Sequence, residues 1–147
     1  HAFPWIAQYL DLDLNERLVF HGTTKDKLPA ILKGGFDERF AATGLYGDGV
    51  YFAEESCKSA QYCKDVGERC MILARVVLGS PSIATGKRKG ERKAPFRDPT
   101  DPSQGMHDSV VAHPGIPIGN GQHQQHREFI VFNGMQAYPE LVIYFTV

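Results

Sequence analysis

The stretch Met71-Ile-Leu-Ala-Arg-Val-Val-Leu78 carries the clearest strand signal in the chain. It is rich in apolar, β-favouring residues, and Gly79 follows it. Shorter runs of the same kind occur at residues 17–20, 50–53, 109–112, 128–132 and 141–145. Strands therefore dominate, and no G-x-G-x-x-G follows a strand, which removes a doubly wound dinucleotide fold. The pattern predicts an α+β domain with a mainly antiparallel sheet and a few short helices.

Two short helices are predicted between the strands. Asp26 is placed to cap the first of them, and Gly34-Gly35 supplies its end. The apolar residues of this helix share one face: Leu28, Ile31 and Leu32. The second helix is predicted over residues 54–64.

The remaining segments lack sustained periodicity. Residues 36–49 are predicted as a glycine-rich loop, and Asn133-Gly134 is a tight-turn signal between the last two strands. Residues 79–127 are rich in Gly, Pro, His and charge. Because an unbroken loop of that length is unusual inside a compact domain, part of this segment must be ordered.

Length and composition restrict the class of protein. The 147 residues, 42% of them hydrophobic, predict a single domain spanning residues 1–147. Sixteen Lys and Arg residues against seventeen Asp and Glu residues exclude a polycationic surface for strong nucleic-acid binding. No stretch is long and apolar enough for a membrane span, and no signal peptide is visible. Because the chain begins with His1 and not Met, we expect a fragment of a larger protein.

The cysteines indicate neither a disulfide framework nor a metal site. Cys57, Cys63 and Cys70 contain no C-x-x-C pair, which favours a reducing, intracellular compartment, nuclear or cytoplasmic. Their spacing does not match structural zinc, and His123 and His126 have no obvious companion ligands in the sequence. We therefore expect no metal.

Taken singly, the polar residues of the strands are ambiguous. His21 at the end of a buried strand can be a histidine satisfied by backbone hydrogen bonds, and Tyr51 and Tyr62 can be ordinary core aromatics. Glu128 is more unusual because it directly precedes the apolar run Phe-Ile-Val-Phe, where a carboxylate needs a partner or a function. A glutamate at a strand end that faces solvent remains the alternative.

Together these residues belong to a longer series of motifs that resembles a known family, the ADP-ribosyltransferases of the poly(ADP-ribose) polymerase type, with tankyrase-like features. The matching segments occur in the family's order from residue 18 to the last strand. They are LVFHGT (18–23), GFDER (35–39), YGDGVYFA (46–53), KSAQY (58–62), ILARVVLG (72–79), HDSV (107–110), EFIVF (128–132) and QAYPE (136–140). The resemblance implies a split antiparallel sheet. The helical regulatory domain that precedes the catalytic part in DNA-dependent members is absent from this sequence.

The resemblance also implies a catalytic triad formed by His21, Tyr51 and Glu128, with NAD⁺ as the substrate. Glu128 would hold a ribose hydroxyl and favour the positive charge that develops when the nicotinamide–ribose bond breaks. His21 would bind a hydroxyl of the adenine-side ribose. Tyr51 would stack on the nicotinamide ring.

The family's cofactor-binding positions are carried over in the same way. Gly22 would bind the nicotinamide carboxamide through its backbone, Ser59 through its hydroxyl, and Tyr62 would cover the other side of the ring. Thr23 is expected near the adenosine ribose, and Arg39 lies in the loop that covers the cofactor. Nicotinamide-like compounds are therefore expected inhibitors.

The expected activity is transfer of ADP-ribose to protein acceptors, including automodification. Glu128 at the third triad position favours poly(ADP-ribose) elongation, and the basic cluster at residues 87–97 is a candidate contact for the diphosphates of the preceding unit. Mono-ADP-ribosyl transfer is the alternative. A degenerate module that binds NAD⁺ without turnover, and an RNA 2′-phosphotransferase, are less favoured.

Overall fold

The computed structural model describes residues 3–41 and 43–147. Nine strands and three short helices lie in these ranges. The strands are β1 (Glu16–Gly22), β2 (Val50–Ala53), β3 (Arg69–Val77), β4 (Pro81–Ile83), β5 (Ser109–Ala112), β6 (Pro117–Gly119), β7 (Gln122–His123), β8 (Glu128–Val131) and β9 (Ala137–Phe145). The helices are α1 (Pro4–Ala7), α2 (Leu28–Gly34) and α3 (Ser56–Ala60). Single-turn 3₁₀ helices cover Leu12–Leu14, Glu38–Phe40, Pro102–Gln104 and Gly134–Gln136.

Seven strands form one sheet in the order β4-β5-β8-β2-β1-β3-β9, and β6 and β7 form a small separate hairpin. Neighbouring strands of the large sheet are antiparallel except β4 and β5. The centre of the sheet is its weakest seam, because β1 and β2 are joined only through the pair Phe20 and Ala53. The mainly antiparallel α+β fold predicted from the sequence is confirmed, and this seam is where the sheet is split.

The core fills both faces of the sheet. One large cluster joins α2 to the strands of both halves, with Phe52, Phe129 and Ile72 fully buried in it. The opposite face carries two smaller clusters, one around Tyr46 and Ile130 and one around α1. The seam between β1 and β2 lies between these two smaller clusters. Within the described residues, no helix is long and apolar enough to cross a membrane.

The strand predictions hold well because each apolar run is buried. The β1, β2 and β5 strands lie where the sequence predicts them, and β3 begins two residues earlier than its signal. The last strand starts at Ala137, four residues before the predicted run. Its extension pairs with β3 across a register shift beside Ala74, which the local pattern does not encode.

The predicted cap of the first helix is wrong. Asp26 accepts a hydrogen bond from the hydroxyl of Thr24, and Lys27 occupies the cap position of α2 without a side-chain bond. Leu28 is buried, but Leu32 is 50% exposed, so the apolar face of this helix is narrower than predicted. Gly35 ends the helix at a positive φ of 80°, as its signal predicts.

Two further predictions need correction. Helix α3 covers only Ser56–Ala60 of the predicted residues 54–64, because the chain leaves the helix in a turn beside Gly22. Asn133-Gly134 does not close a hairpin between β8 and β9, because these strands are not neighbours: β2, β1 and β3 lie between them in the sheet. Instead, the Asn133 side chain accepts from the Met135 amide and caps a 3₁₀ turn.

Candidate active site

The site is built around the close approach of Gly22 to α3. A Cβ on Gly22 would overlap the carbonyl oxygen of Ser59 and would lie 2.9 Å from the Cβ of Tyr62. Ser59 is in the last turn of α3, and Tyr62 follows in a turn whose amide donates to the Ser59 carbonyl at 3.0 Å. The structure thus brings together three of the predicted nicotinamide-binding residues, although Tyr62 lies beyond the helix end. Tyr62 is 48% exposed, and the Lys58 Nζ lies over its ring, 5.8 Å from the centroid.

Tyr51 is held rigidly by the loop that precedes β2. Its hydroxyl donates to the Gly47 carbonyl and accepts from the Tyr46 amide, both at 2.8 Å. A Cβ on Gly44 would overlap the phenol ring, so only glycine fits against this side of Tyr51. Burial raises the pKa of the Tyr51 phenol well above its usual value, and the group stays protonated as the donor to Gly47.

Glu128 begins β8 and is only 5% exposed. It pairs with Ala53 of β2, two residues from Tyr51, and the alternation of the strands puts the Glu128 and Tyr51 side chains on the same face of the sheet. The Nζ of Lys58 lies 3.4 Å from its Oε1. Burial raises the pKa of the Glu128 carboxyl, whereas the Lys58 ammonium and the Gln124 amide act to lower it. A desolvated carboxylate with one cationic partner is thereby fixed beside the residues predicted to bind nicotinamide.

His21 points to the other face of the sheet. Its Nδ1 lies 2.7 Å from the Tyr51 carbonyl oxygen, and its ring contacts Phe36 and Phe52 at centroid distances of 5.1 and 5.4 Å. Burial lowers the pKa of His21, and the bond to Tyr51 opposes this effect. In the neutral ring Nδ1 carries the proton for the carbonyl, which leaves Nε2 as an acceptor. His21 is thus joined to Tyr51 through the backbone of Tyr51 and not through its ring.

The two remaining predicted residues lie on either side of α2. Thr23 follows Gly22 and is 5% exposed. Arg39 lies beyond α2, where its guanidinium binds both oxygens of the Asp37 carboxylate, with the shortest contact at 2.7 Å. The same loop is anchored near His21 by Phe36. Arg39 is exposed and must leave Asp37 to bind a ligand with the same nitrogen atoms.

Sequence reasoning missed the residues that surround Glu128. Lys58 lies in the same motif as Ser59 and Tyr62, and that membership was the one available signal; its closeness to Glu128 appears only in the structure. Gln124 lies in a polar loop that gives no such signal, yet it is 6% exposed. Its Oε1 accepts from the Tyr46 hydroxyl at 2.8 Å, and its Nε2 donates to the His126 carbonyl at 2.7 Å. These bonds fix the loop that leads into Glu128.

A separate open cleft of about 460 Å³ runs along residues 15–20, which include the start of β1, and is also lined by Leu10, Glu54 and Phe129. None of the predicted site residues lines it. The residues around Gly22 lie instead at the end of β1, between α3 and the start of β8. Its chemistry combines backbone amide groups, two aromatic rings, a serine hydroxyl and a buried carboxylate. Such a set suits a flat ring that bears a carboxamide, next to a sugar carbon that gains positive charge.

Comparison with known proteins agrees with this chemistry. The family model of the poly(ADP-ribose) polymerase catalytic domain matches residues 3–147. Protein mono-ADP-ribosyltransferase PARP12 of Mus musculus is 32% identical over 139 residues, which cover 91% of this chain and 17% of that protein. Protein mono-ADP-ribosyltransferase PARP11 of Mus musculus is 28% identical over 90% of this chain and 43% of that protein. Protein mono-ADP-ribosyltransferase PARP14 of Homo sapiens is 30% identical over 90% of this chain and 7% of that protein.

The chain therefore spans less than half the length of each of these relatives. All three are named as mono-ADP-ribosyltransferases, and none is a tankyrase. The match to the family model covers nearly the whole chain, so this chain belongs to the poly(ADP-ribose) polymerase catalytic domain family.

Proposed function

We propose that this domain cleaves the nicotinamide–ribose bond of NAD⁺ and transfers a single ADP-ribose to a protein side chain. The observation that carries the proposal is the packing of Gly22 against Ser59 and Tyr62, with the buried Glu128 carboxylate close by. The family match is the second support.

Gly22, Ser59 and Tyr62 bind the nicotinamide end of NAD⁺ in this proposal. The backbone N–H and C=O of Gly22 hydrogen-bond the carboxamide, and the absence of a Cβ lets the backbone come close. The Ser59 hydroxyl bonds the same amide. Tyr51 and Tyr62 cover the two sides of the ring, since Tyr51 is fixed by its bonds to the Tyr46 and Gly47 backbone and Tyr62 presents an exposed ring. An aromatic slot of this kind is preorganised, and binding therefore orders few side chains.

Glu128 acts at the bond that breaks. When nicotinamide leaves with the electron pair of the C–N bond, positive charge develops on the ribose, and a fixed carboxylate stabilises that charge. The lone pair of the acceptor side chain forms the new bond to the ribose C1′, and the acceptor proton passes to Glu128 or to water. Lys58, 3.4 Å away, holds the carboxylate in place before the substrate arrives.

His21 positions the adenine side of NAD⁺. Its neutral ring donates from Nδ1 to the Tyr51 carbonyl and presents Nε2 as an acceptor for a ribose hydroxyl. Since His21 and Gly22 are neighbours at the end of β1 with opposite orientations, a ligand that passes around this strand end contacts both. Arg39, in the loop anchored by Phe36, is the proposed contact for a phosphate or the adenine, and Thr23 lies beside the same end of β1.

Transfer of one unit is favoured over elongation by two observations. The relatives reported above are named as mono-ADP-ribosyltransferases. Their names favour mono-ADP-ribosyl transfer over the poly(ADP-ribose) elongation that Glu128 alone predicts. The basic cluster is also less available than its sequence indicates. Arg88 donates to Ser82 and to the Ile83 carbonyl, and Arg97 pairs with Asp108 at 3.3 Å. Two of its cations are therefore already bonded within the protein.

The test is incubation of the chain with NAD⁺ labelled in the adenine, followed by intact-mass analysis of the protein. We expect discrete increments of one ADP-ribose per modified site. The Glu128→Gln variant should lose about 10²-fold or more of the transfer rate while it still binds NAD⁺. Glu68→Gln is the matched control, because Glu68 forms an exposed ion pair with Lys25.

A ladder of increments on one site, which a poly(ADP-ribose)-degrading hydrolase removes, would contradict mono-transfer. Binding of NAD⁺ without transfer by the wild-type chain would favour the degenerate binding module. Near-wild-type transfer by Glu128→Gln would show that Glu128 lacks the proposed role.

A further inference from the structure

Three potential metal ligands of different chemistry meet at the start of α3. They are the carboxylate of Glu55, the thiol of Cys57 and the imidazole Nδ1 of His126, and these ligand atoms all lie within 4.8 Å of one another. Glu55 and Cys57 come from the beginning of α3, and His126 comes from the loop that leads into β8. We propose that Glu55, Cys57 and His126 form a binding site for a transition metal ion such as Zn²⁺, beside the candidate active site.

The distances between the ligand atoms suit tetrahedral coordination. The Cys57 Sγ lies 3.8 Å from Glu55 Oε2, and the same oxygen lies 3.6 Å from His126 Nδ1. With Zn–S near 2.3 Å and Zn–O or Zn–N near 2.0 Å, a tetrahedral ion separates such ligand atoms by about 3.3 to 3.5 Å. These two separations exceed the tetrahedral values by a few tenths of an ångström, and the third pair, Cys57 and His126, lies within 4.8 Å, so side-chain movements of up to about 1.3 Å close the site around an ion. Two of the three ligands are exposed, and such side chains adjust by this much without disturbing the core.

The polar groups of this cluster are poorly satisfied without a cation. The His126 Nδ1 is buried, and among the residues that the structure describes it has no hydrogen-bond partner. The His126 Nδ1 and the Glu55 Oε2 lie 3.6 Å apart, beyond hydrogen-bond distance, so neither atom satisfies the other, and an ion between them would bond both. Cys57 is a free cysteine, and its thiol only makes a long contact to Glu55.

Neighbouring cations do not neutralise the cluster. Lys58 is paired with Glu128 at 3.4 Å, and Arg127 is paired with Glu54 at 2.6 Å. A thiolate and a carboxylate together balance the charge of a divalent ion. The thiolate and imidazole favour Zn²⁺ over Mg²⁺ or Ca²⁺, which prefer oxygen ligands alone.

The location of the site links it to the candidate active site without any shared ligand. Cys57 directly precedes Lys58, and His126 lies two residues before Glu128. A bound ion would fasten the start of α3 to the loop before β8, the two segments that carry the Lys58–Glu128 pair. The fourth coordination position remains for water or for a group of an incoming protein, as in metal sites with three protein ligands.

Cobalt binding tests the proposal directly, because Co²⁺ replaces Zn²⁺ in tetrahedral sites and its bond to a thiolate gives a charge-transfer absorption band. We expect the wild-type chain to show this band at one Co²⁺ per chain and to lose it when Zn²⁺ is added. Zn²⁺ should also raise the melting temperature. Cys57→Ser should abolish the band, and His126→Gln should weaken metal binding at least about tenfold.

The control is His123→Gln, which changes an exposed histidine in β7, three residues before His126, and should bind Co²⁺ like the wild type. Circular dichroism of each variant checks that it is folded. The proposal is overturned if folded wild-type protein shows no thiolate-to-cobalt band, if Cys57→Ser keeps the band, or if His126→Gln binds Zn²⁺ as tightly as His123→Gln. None of these measurements depends on transferase activity, so they fail or succeed independently of the proposed function.

Discussion

At the scale of single residues, the packing around Gly22 leaves no room for a side chain. We predict that Gly22→Ala lowers the free energy of unfolding by about 1–3 kcal/mol, because the added Cβ would overlap the Ser59 carbonyl and force β1 away from α3. Thermal stabilisation by nicotinamide should be lost in the same variant. Urea unfolding and a ligand melting-temperature assay measure the two effects.

Gly34→Ala is the control for this substitution. A Cβ at Gly34 meets nothing within 4 Å, and the residue lies in helix α2. Alanine there should be neutral or stabilising by up to about 1 kcal/mol, because alanine loses less backbone entropy in a helix than glycine. Equal losses in the two variants would contradict the tight packing at Gly22.

His21 makes stability depend on pH. Burial lowers the pKa of His21 below the usual value near 6.5. Just below that pH, His21 is therefore protonated in the unfolded chain and still neutral in the folded chain. The contribution of His21 is therefore complete above about pH 6.5 and is lost as the pH falls toward its lowered pKa, with a slope of up to about 1.4 kcal/mol per pH unit. His21→Gln should remove this part of the slope, which urea titrations from pH 7.5 downward measure.

His123→Gln is the matched control in the same experiment, because it makes the same substitution at an exposed histidine. If His21→Gln and His123→Gln had identical pH dependence, the buried neutral state of His21 would be contradicted. Comparing slopes separates the titration of His21 from any constant loss of stability caused by the substitution.

At the scale of the elements, α3 and the turn that follows it form one side of the proposed site. The helix ends at Ala60, and the turn then brings Tyr62 back to Gly22. We predict that Tyr62→Ala removes most of the rise in melting temperature that benzamide produces in the wild type, because one side of the aromatic slot is lost.

Tyr144→Ala in β9 is matched to this variant, since Tyr144 is 54% exposed and Tyr62 is 48% exposed. It should keep the benzamide shift. A full shift in Tyr62→Ala would remove Tyr62 from the proposed site, and no shift in the wild type would count against the whole slot.

At the scale of the whole molecule, one core cluster holds the two halves of the sheet together across the weak seam between β1 and β2. Phe129 belongs to that cluster and is 1% exposed. We predict that Phe129→Ala lowers the free energy of unfolding by about 3–5 kcal/mol, through lost burial and an unfilled cavity. Leu32→Ala, at a position that is 50% exposed, should cost much less. Denaturant unfolding compares them, and similar losses would contradict this assignment of the core.

Local sequence determined the strands, because their apolar runs need only be buried to be recognisable. It also placed Gly22, Ser59, Tyr51, Tyr62 and Glu128 in motifs whose order along the chain identifies the family. It did not determine the Asp26 cap, the end of α3 at Ala60 or the partners of β9. Asp26 bonds instead to Thr24, two residues before it, whereas the end of α3 and the partners of β9 depend on contacts with distant segments, Gly22 and β3.

Only the tertiary structure decided which distant residues meet. Lys58 and Gln124 surround Glu128, and His126 reaches Glu55 and Cys57, because the sheet places β8 beside β2 and α3 follows β2 directly. Cys57 and His126 are far apart in the chain, so their spacing matches no metal motif. Periodicity records how each segment is buried. The pairing of segments is a property of the assembled sheet, and it was this pairing that put the carboxylate, its cation and the candidate metal ligands in one place.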